Sequence, residues 1–358
     1  MQTPSPTPRP PVLAVTLVSA TDARDSARIA RLLSGGVTSV EGFVVELPDS
    51  DSAEFAVELA AELARQADDG ETGITVMSID PVADPMEVGL VLEHLLGRRH
   101  PGDTRIGVLD VVAVTSLDEV SRVLLGDGAD TGAAQDPPHD SPQWDRAERL
   151  AGRLEFAGLI VLTGGRGPRD DDAALDLLRA LSPGAEILAE RDLDRYRERR
   201  AVLSPQRAHR LASDLGWQRA LRGLPIDSGS VRAHVFRDPL PFHPGRLHAA
   251  VAADLVPSRV GRIHRSRGLV RLASRADRVA SWSIAGDVVA LDPTTIRSWS
   301  VDAPVGQEIV VLGRDLDVDE LTRVLSSCLL TPRELLAGPD LWGVLDDPFP
   351  RWEDEHQH

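Results

Sequence analysis

Residues 12–34 read VLAVTLVSATDARDSARIARLLS, and the way this stretch changes its period decides the fold. The apolar run 12–18 predicts a buried strand, the polar residues after it predict a loop, and Ala27, Ala30 and Leu33 recur at helical spacing over 26–33. Outward from this strand, loop and helix, apolar runs at 74–79, 108–114 and 159–162 alternate with helical patterns at 53–65, 86–96, 144–154 and 173–181. Strands alternating with helices predict a mostly parallel sheet with covering helices, an α/β domain.

The second half is patterned differently. Strands are expected at 231–236, 269–273, 279–284, 288–291 and 308–313, interrupted by two helices. One helix starts at Pro244, a residue pre-set for a first turn, and runs to about Ala253. The other starts after Asp317, which stands at capping-box spacing from Glu320, and turns Leu321, Val324 and Leu325 inward. This is an α+β domain. Residues 126–142, rich in Gly, Asp and Pro, predict a surface loop, and the mixed charges of 190–200 predict an exposed helix. The expected division is residues 1–11 as a disordered N-terminus, 12–224 and 225–345 as two domains, and 346–358 as an acidic, histidine-bearing tail.

Composition narrows the function classes. With 42% hydrophobic and 27% charged residues and no apolar run near the ~18 residues of a membrane span, the chain reads as soluble, without a membrane partner. The Pro-rich start lacks the pattern of a secretory signal, so the cytoplasm is the expected compartment. Cys328 is the lone cysteine and excludes both an internal disulfide and a multi-cysteine zinc site. A net charge of −17 argues against broad affinity for phosphate backbones, and no sequence-specific DNA binding is expected. The chain contains neither lysine nor asparagine.

Several motifs of the second half occur in a familiar order: 241–247 PFHPGRL, 265–268 RSRG, 272–277 LASRAD, 282–286 WSIAG, 307–313 QEIVVLG, 328–331 CLLT and 347–350 DPFP. Over more than 100 residues this stretch resembles the C-terminal domain of the CobW family, GTP-dependent proteins associated with zinc and cobalt handling. The first half resembles the family's GTPase domain in outline. Residues 77–85, MSIDPVADP, stand where the family has a Glu-Ser-x-Gly-x-x-Asp-Pro switch segment, and only Ser78 and the Asp84-Pro85 ending match. Glu155-Phe156-Ala157 and the strand 159–162 match the approach to the family's Asn-Lys-x-Asp guanine-reading motif, but Thr163-Gly164-Gly165-Arg166 follows in its place. The resemblance therefore implies a degenerate P-loop GTPase-like domain followed by a CobW C-terminal domain.

A P-loop needs glycines so that backbone N–H groups cradle phosphate, a lysine for the β and γ phosphates, and a Ser or Thr for Mg²⁺. The corresponding segment, 19–26 SATDARDS, has no glycine and two aspartates. In register with the family helix, Asp25 takes the lysine position. Arg24 is the remaining candidate phosphate cation and Ser26 the remaining metal-binding hydroxyl, although a lone Ser after a strand more often caps a helix. With no lysine in the chain, no choice of register restores the lysine, and with no asparagine none restores the guanine motif. Catalytic residues are expected to be absent.

The family's Cys-x-Cys-Cys motif is also missing. Asp49 and Asp51 near its counterpart are hard ligands, better suited to Mg²⁺ or Ca²⁺ than to zinc, and read equally as a polar helix entry. His356 and His358 in the tail are the candidate metal ligands, for zinc bound weakly, and read equally as a solvated end. His243 is expected in a turn and Cys328 in the core. Against the acidic total, Arg259, Arg262, Arg265, Arg267, Arg271, Arg275 and Arg278 lie within 20 residues. As a guanidinium surface they suit RNA phosphate or an acidic protein, and on a strand at 269–273 Arg267 and Arg271 would share one face. The alternative is a solvated face paired with the chain's own carboxylates.

The expected function is that of a non-catalytic CobW-like adaptor. The Arg- and Ala-rich, Lys-poor composition resembles that of actinobacterial proteins, among which P-loop-deficient CobW-like members are associated with zinc limitation and some resemble recruitment factors for ribosome hibernation. This resemblance implies a protein or ribosome partner engaged through the arginine stretch. The alternatives are a GTP-dependent zinc metallochaperone with an atypical phosphate loop and a zinc buffer that uses its histidines.

Overall fold

The computed structural model describes residues 13–35, 52–99, 106–126, 142–164, 172–200, 207–226, 228–301 and 303–352. The chain forms two compact units, one of Met1–Val120 with Arg149–Gly216, the other of Ser121–Glu148 with Trp217–His358. The division thus falls a few residues before the expected one, and a segment from the first half of the sequence belongs to the second unit.

The first unit is built on a five-stranded parallel sheet: β1 (Leu13–Ala20), β2 (Gly73–Ser78), β3 (Ile106–Thr115), β4 (Leu159–Leu162) and β5 (Glu186–Ala189), in the order β2-β1-β3-β4-β5. β1 is buried along its whole length, as its unbroken apolar run requires of a central parallel strand. Helix Ala23–Ser34 lays Ile29, Ala30 and Leu33 on one face of the sheet, over Val18 and Ala20 of β1 and Val112 and Val114 of β3, with Leu193 and Tyr196 in the same cluster. The helix ends at Gly35, which takes the left-handed conformation that closes helices (φ +65°). Gly89, on helix Pro85–Arg99, leaves room for Phe156 and for Ala208 of helix Arg207–Ala212. The chain winds from β1 to β2 on one side, then crosses to β3 on the other. This makes β1/β3 the topological switch point, whose C-terminal edge is where open α/β sheets take ligands.

The second unit carries an antiparallel sheet, β6 (Val231–Asp238), β7 (Arg262–Val270), β8 (Arg278–Ala285), β9 (Val288–Arg297) and β10 (Gln307–Arg314), in the order β6-β10-β7-β8-β9. Its core joins Phe236, Phe242 and Trp282 to Leu247 of helix Pro244–Ala253 and to Leu321, Val324 and Leu325 of helix Val318–Ser327. The Trp282 indole N–H donates to Ser266 Oγ (2.8 Å), which donates on to the Val310 carbonyl (2.8 Å), so no polar atom of this pair is left dry. His243 caps helix Pro244–Ala253, its Nδ1 accepting from Arg246 N. Burial, followed by the Arg246 charge, lowers the His243 pKa and keeps that nitrogen an acceptor. Asp317 caps helix Val318–Ser327, accepting from Glu320 N (3.0 Å), but the Glu320 carboxylate turns to Arg259 and Arg323, so the capping box is not closed.

Two expectations are corrected. β7 spans Arg262–Val270 rather than 269–273, so Arg271 lies beyond its end. Residues 346–352 are a fastened strap rather than a tail: Asp347 accepts from Ser274 Oγ and Arg275, and Trp352 Nε1 donates to the Leu291 carbonyl (3.1 Å).

Candidate functional site

In the first unit, β1 gives way to helix Ala23–Ser34 after only Thr21 and Asp22. The cap is Asp22, whose carboxylate accepts from Arg24 N (2.8 Å), and not Ser26. The capping reading of Ser26 is overturned because an aspartate four residues earlier already holds the first turn. Ser26 is buried in that turn, its hydroxyl 2.7 Å from Ser78 Oγ at the end of β2 and 3.1 Å from the Ala23 carbonyl. Two serines read from separate motifs therefore meet, and each engages the other. Arg24 is exposed. Asp80 and Asp84 accept the backbone N–H of Val82 and Met86 (2.8 Å each), and Asp84 leads into Pro85 at the start of its helix.

Arg153, on helix Pro142–Glu155, reaches the same edge of the sheet. It is 4% exposed, Nη1 lies 3.3 Å from Thr21 Oγ1, and Nε has no partner. Burial, with Arg149 adding to it, lowers its pKa to about 10 against the opposing charges of Glu119, Asp84 and Asp80. The Glu119 carboxylate accepts from Thr115 Oγ1 (2.9 Å) at the end of β3. Thr163, where a guanine-reading motif would begin, donates N–H and Oγ1 to the Thr115 carbonyl (2.9 and 3.2 Å). Sequence reasoning missed Arg153, because an arginine spaced from Arg146 and Arg149 along a helix reads as a solvated face.

In the second unit the seven arginines do not form one open cationic face. Arg265 is 1% exposed and donates to Glu148 (2.7 and 3.2 Å), Ser283 Oγ (2.9 Å) and the Ile284 carbonyl (3.3 Å). Arg267 also pairs with Glu148 (2.7 Å). Burial alone would raise the Glu148 pKa, but the two guanidiniums and the Ser283 hydroxyl hold it down at about 2. Arg259 pairs with Asp254 and Glu320, and Arg262 lies 3.9 Å from Asp287. Arg271 does not share a strand face with Arg267; it donates to the carbonyls of Ser298 (2.9 Å) and Pro304 (2.6 Å), bracing the β9–β10 loop from inside. Arg275 is held by Asp347 (2.8 and 3.0 Å) and lies 4.3 Å from the Trp352 ring centre. Arg278 starts β8, half-buried and opposite Arg297. The guanidiniums of Arg259, Arg265, Arg267, Arg271 and Arg275 fasten one segment of the unit to another.

Among the described residues no group of three or more His, Cys, Asp or Glu side chains is placed to hold a metal ion. Asp49, Asp51, His356 and His358 lie outside the described residues. Cys328 is a buried core residue whose thiol pKa is raised by burial. Among the described residues no helix is long and apolar enough to cross a membrane.

Residues 231–329 match the Cobalamin synthesis protein cobW C-terminal domain family. This stretch runs from the start of β6 past the end of helix Val318–Ser327. No curated protein matches the chain. Two solved structures resemble it, the Zn(II)-bound YjiA GTPase from E. coli and a Zn(II)-bound triple mutant of YjiA GTPase. Each covers 89% of this chain and 99% of its own, at 13% identity and a TM-score of 0.33.

Proposed function

We propose that this chain is a CobW-like protein that works by binding a partner, as an adaptor linked to zinc limitation or metal homeostasis, rather than by turning over a nucleotide. The observation that carries the reading is the two-residue turn after β1. A phosphate loop must wrap its backbone N–H groups around the anion and follow them with a lysine, whereas here Thr21 and Asp22 are the whole connection and the Asp22 carboxylate takes the free N–H of the first turn. The cobW C-terminal domain match in the second unit supports the family side of the reading. A ribosome is the partner proposed, engaged through the arginine stretch, of which Arg259, Arg262, Arg267, Arg271, Arg275 and Arg278 are half-buried and Arg265 is buried.

The test combines calorimetry with sedimentation of the purified chain against ribosomes from zinc-limited cells. Mg·GTP should give no micromolar binding and no hydrolysis above background. Sedimentation should be the same with and without Mg·GTP and fall steeply as salt rises. Micromolar GTP affinity that is abolished by changing Arg24 or Ser26 would overturn the adaptor reading in favour of a GTP-dependent zinc metallochaperone.

A further inference from the structure

Among the described residues, the buried Arg153 has no hydrogen-bonded counter-charge. A guanidinium has five N–H donors, and buried ones are normally matched by a carboxylate or by several carbonyls. Among the described residues, one donor of Arg153 reaches Thr21 Oγ1 at the long distance of 3.3 Å, Nε reaches nothing, and no carboxylate lies within ion-pairing distance. The nearby acids are engaged elsewhere: Glu119 with Thr115 Oγ1, Asp80 and Asp84 with backbone N–H groups. They act on Arg153 across space only. Its position is the second, independent observation. Thr21 stands just beyond β1 and Glu119 just beyond β3, so Arg153 lies at the C-terminal edge of the two strands between which the winding reverses.

We propose that this edge binds one small oxyanion, inorganic phosphate or a simple carboxylate, with the Arg153 guanidinium as its charge partner and the Thr21 hydroxyl as a further donor. The site is small for a physical reason. Asp22 holds the first turn of helix Ala23–Ser34, Asp25 follows in that turn, and Asp80 and Asp84 lie in electrostatic reach, so a polyanion extending toward these carboxylates meets repulsion. The inference is independent of the adaptor reading, which assigns no small ligand to the first unit.

The experiment is a thermal melt and calorimetry on the full chain at constant ionic strength, with inorganic phosphate, acetate and Mg·GTP as probes. Phosphate or acetate should raise the melting temperature in proportion to the logarithm of its concentration once above Kd, by roughly 5 °C at a hundredfold excess over Kd, with saturable binding in calorimetry. Arg153→Met should abolish the rise. Thr21→Val, which keeps the cation, should weaken phosphate about tenfold and serves where the Arg153 variant fails to fold. An equal rise in Arg153→Met and wild type, or no rise in wild type with either anion, overturns the proposal. A larger rise with Mg·GTP than with phosphate overturns the small-oxyanion class and leaves Arg153 as a nucleotide contact.

Discussion

Arg265 and Arg153 are almost equally buried, at 1% and 4% exposed, and their surroundings are opposite. Around Arg265 the second unit supplies a carboxylate, a hydroxyl and a carbonyl, all within 3.3 Å. Around Arg153 the described residues of the first unit supply one threonine hydroxyl. The same side chain therefore does different work in the two units. In the antiparallel unit arginine is a fastener, joining Glu148 to β7 and β8, the C-terminal strap to the turn at Ala273–Arg275, and the β9–β10 loop to the end of β7. In the parallel unit, among the described residues, a buried guanidinium meets no carboxylate at hydrogen-bonding distance, at the edge where such sheets bind ligands, and the proposed oxyanion site rests on this contrast.

The largest expected effect tests how tightly the antiparallel unit is drawn together. A Cβ on Gly268 would stand 2.1 Å from the Glu308 carbonyl oxygen and 2.8 Å from Ile309 Cα, both backbone atoms of the paired strand β10. Gly268→Val must therefore push β7 and β10 apart in the middle of the sheet. The cost should be about 4 kcal/mol or more, at the diagnostic end of single substitutions. In chemical denaturation the second unit should be lost at low denaturant or the protein should fail to express in soluble form. Near-wild-type unfolding would mean that β7 and β10 are not held in this register.

The next effect probes the fastener itself. Arg265→Met leaves Glu148 with Arg267 and the Ser283 hydroxyl and should cost about 3–5 kcal/mol, the range for breaking one side of a buried pair. Arg265→Met with Glu148→Leu should recover most of that loss. Acid should do the same work without mutation. The Glu148 pKa is held below its ordinary value of 4.5, at about 2, so its contribution is fully present above pH ~4.5 and is lost as pH falls toward ~2. The shift corresponds to about 3 kcal/mol. Unfolding free energies measured across that window should fall more steeply for wild type than for the double variant, and parallel curves would remove Glu148 as the cause.

Much of the first unit was legible because a buried parallel strand is an unbroken apolar run and its helices repeat at 3.6 residues. β1, β3, β4 and helices such as Ala173–Leu181 follow that rule. β5 was not legible: Glu186–Ala189 is four residues long and mostly half-buried, so it lacks the length that separates a strand from a loop. β7 was misplaced because Arg262, Arg265 and Arg267 hide an alternation that the structure satisfies with ion pairs instead of apolar contacts, and because a bulge near Leu312 and Gly313 breaks its period. The strap was read as a tail since Asp347 gains its meaning only from Ser274 and Arg275, more than 70 residues away in sequence. The candidate site was half legible. The absence of lysine and asparagine can be read from composition, but the meeting of Ser26 with Ser78 and of Arg153 with Thr21 depends on strand order, which spacing along the chain does not encode.

The smallest effect closes the comparison from the other side. Arg153→Met replaces a buried guanidinium by an apolar side chain that also fits a helix. It removes a desolvated charge, whose burial lowers its pKa to about 10, and gives up one long hydrogen bond. Replacing a poorly paired buried ion by an apolar group is neutral or stabilising when the volume is kept. In a buffer free of phosphate and carboxylate the variant should therefore unfold within about 1 kcal/mol of wild type, or later. Arg265→Met under the same conditions should unfold far earlier. If the two arginine-to-methionine variants lose stability alike, then Arg153 has a partner as good as Glu148, and the contrast between a fastening arginine and a waiting one does not hold.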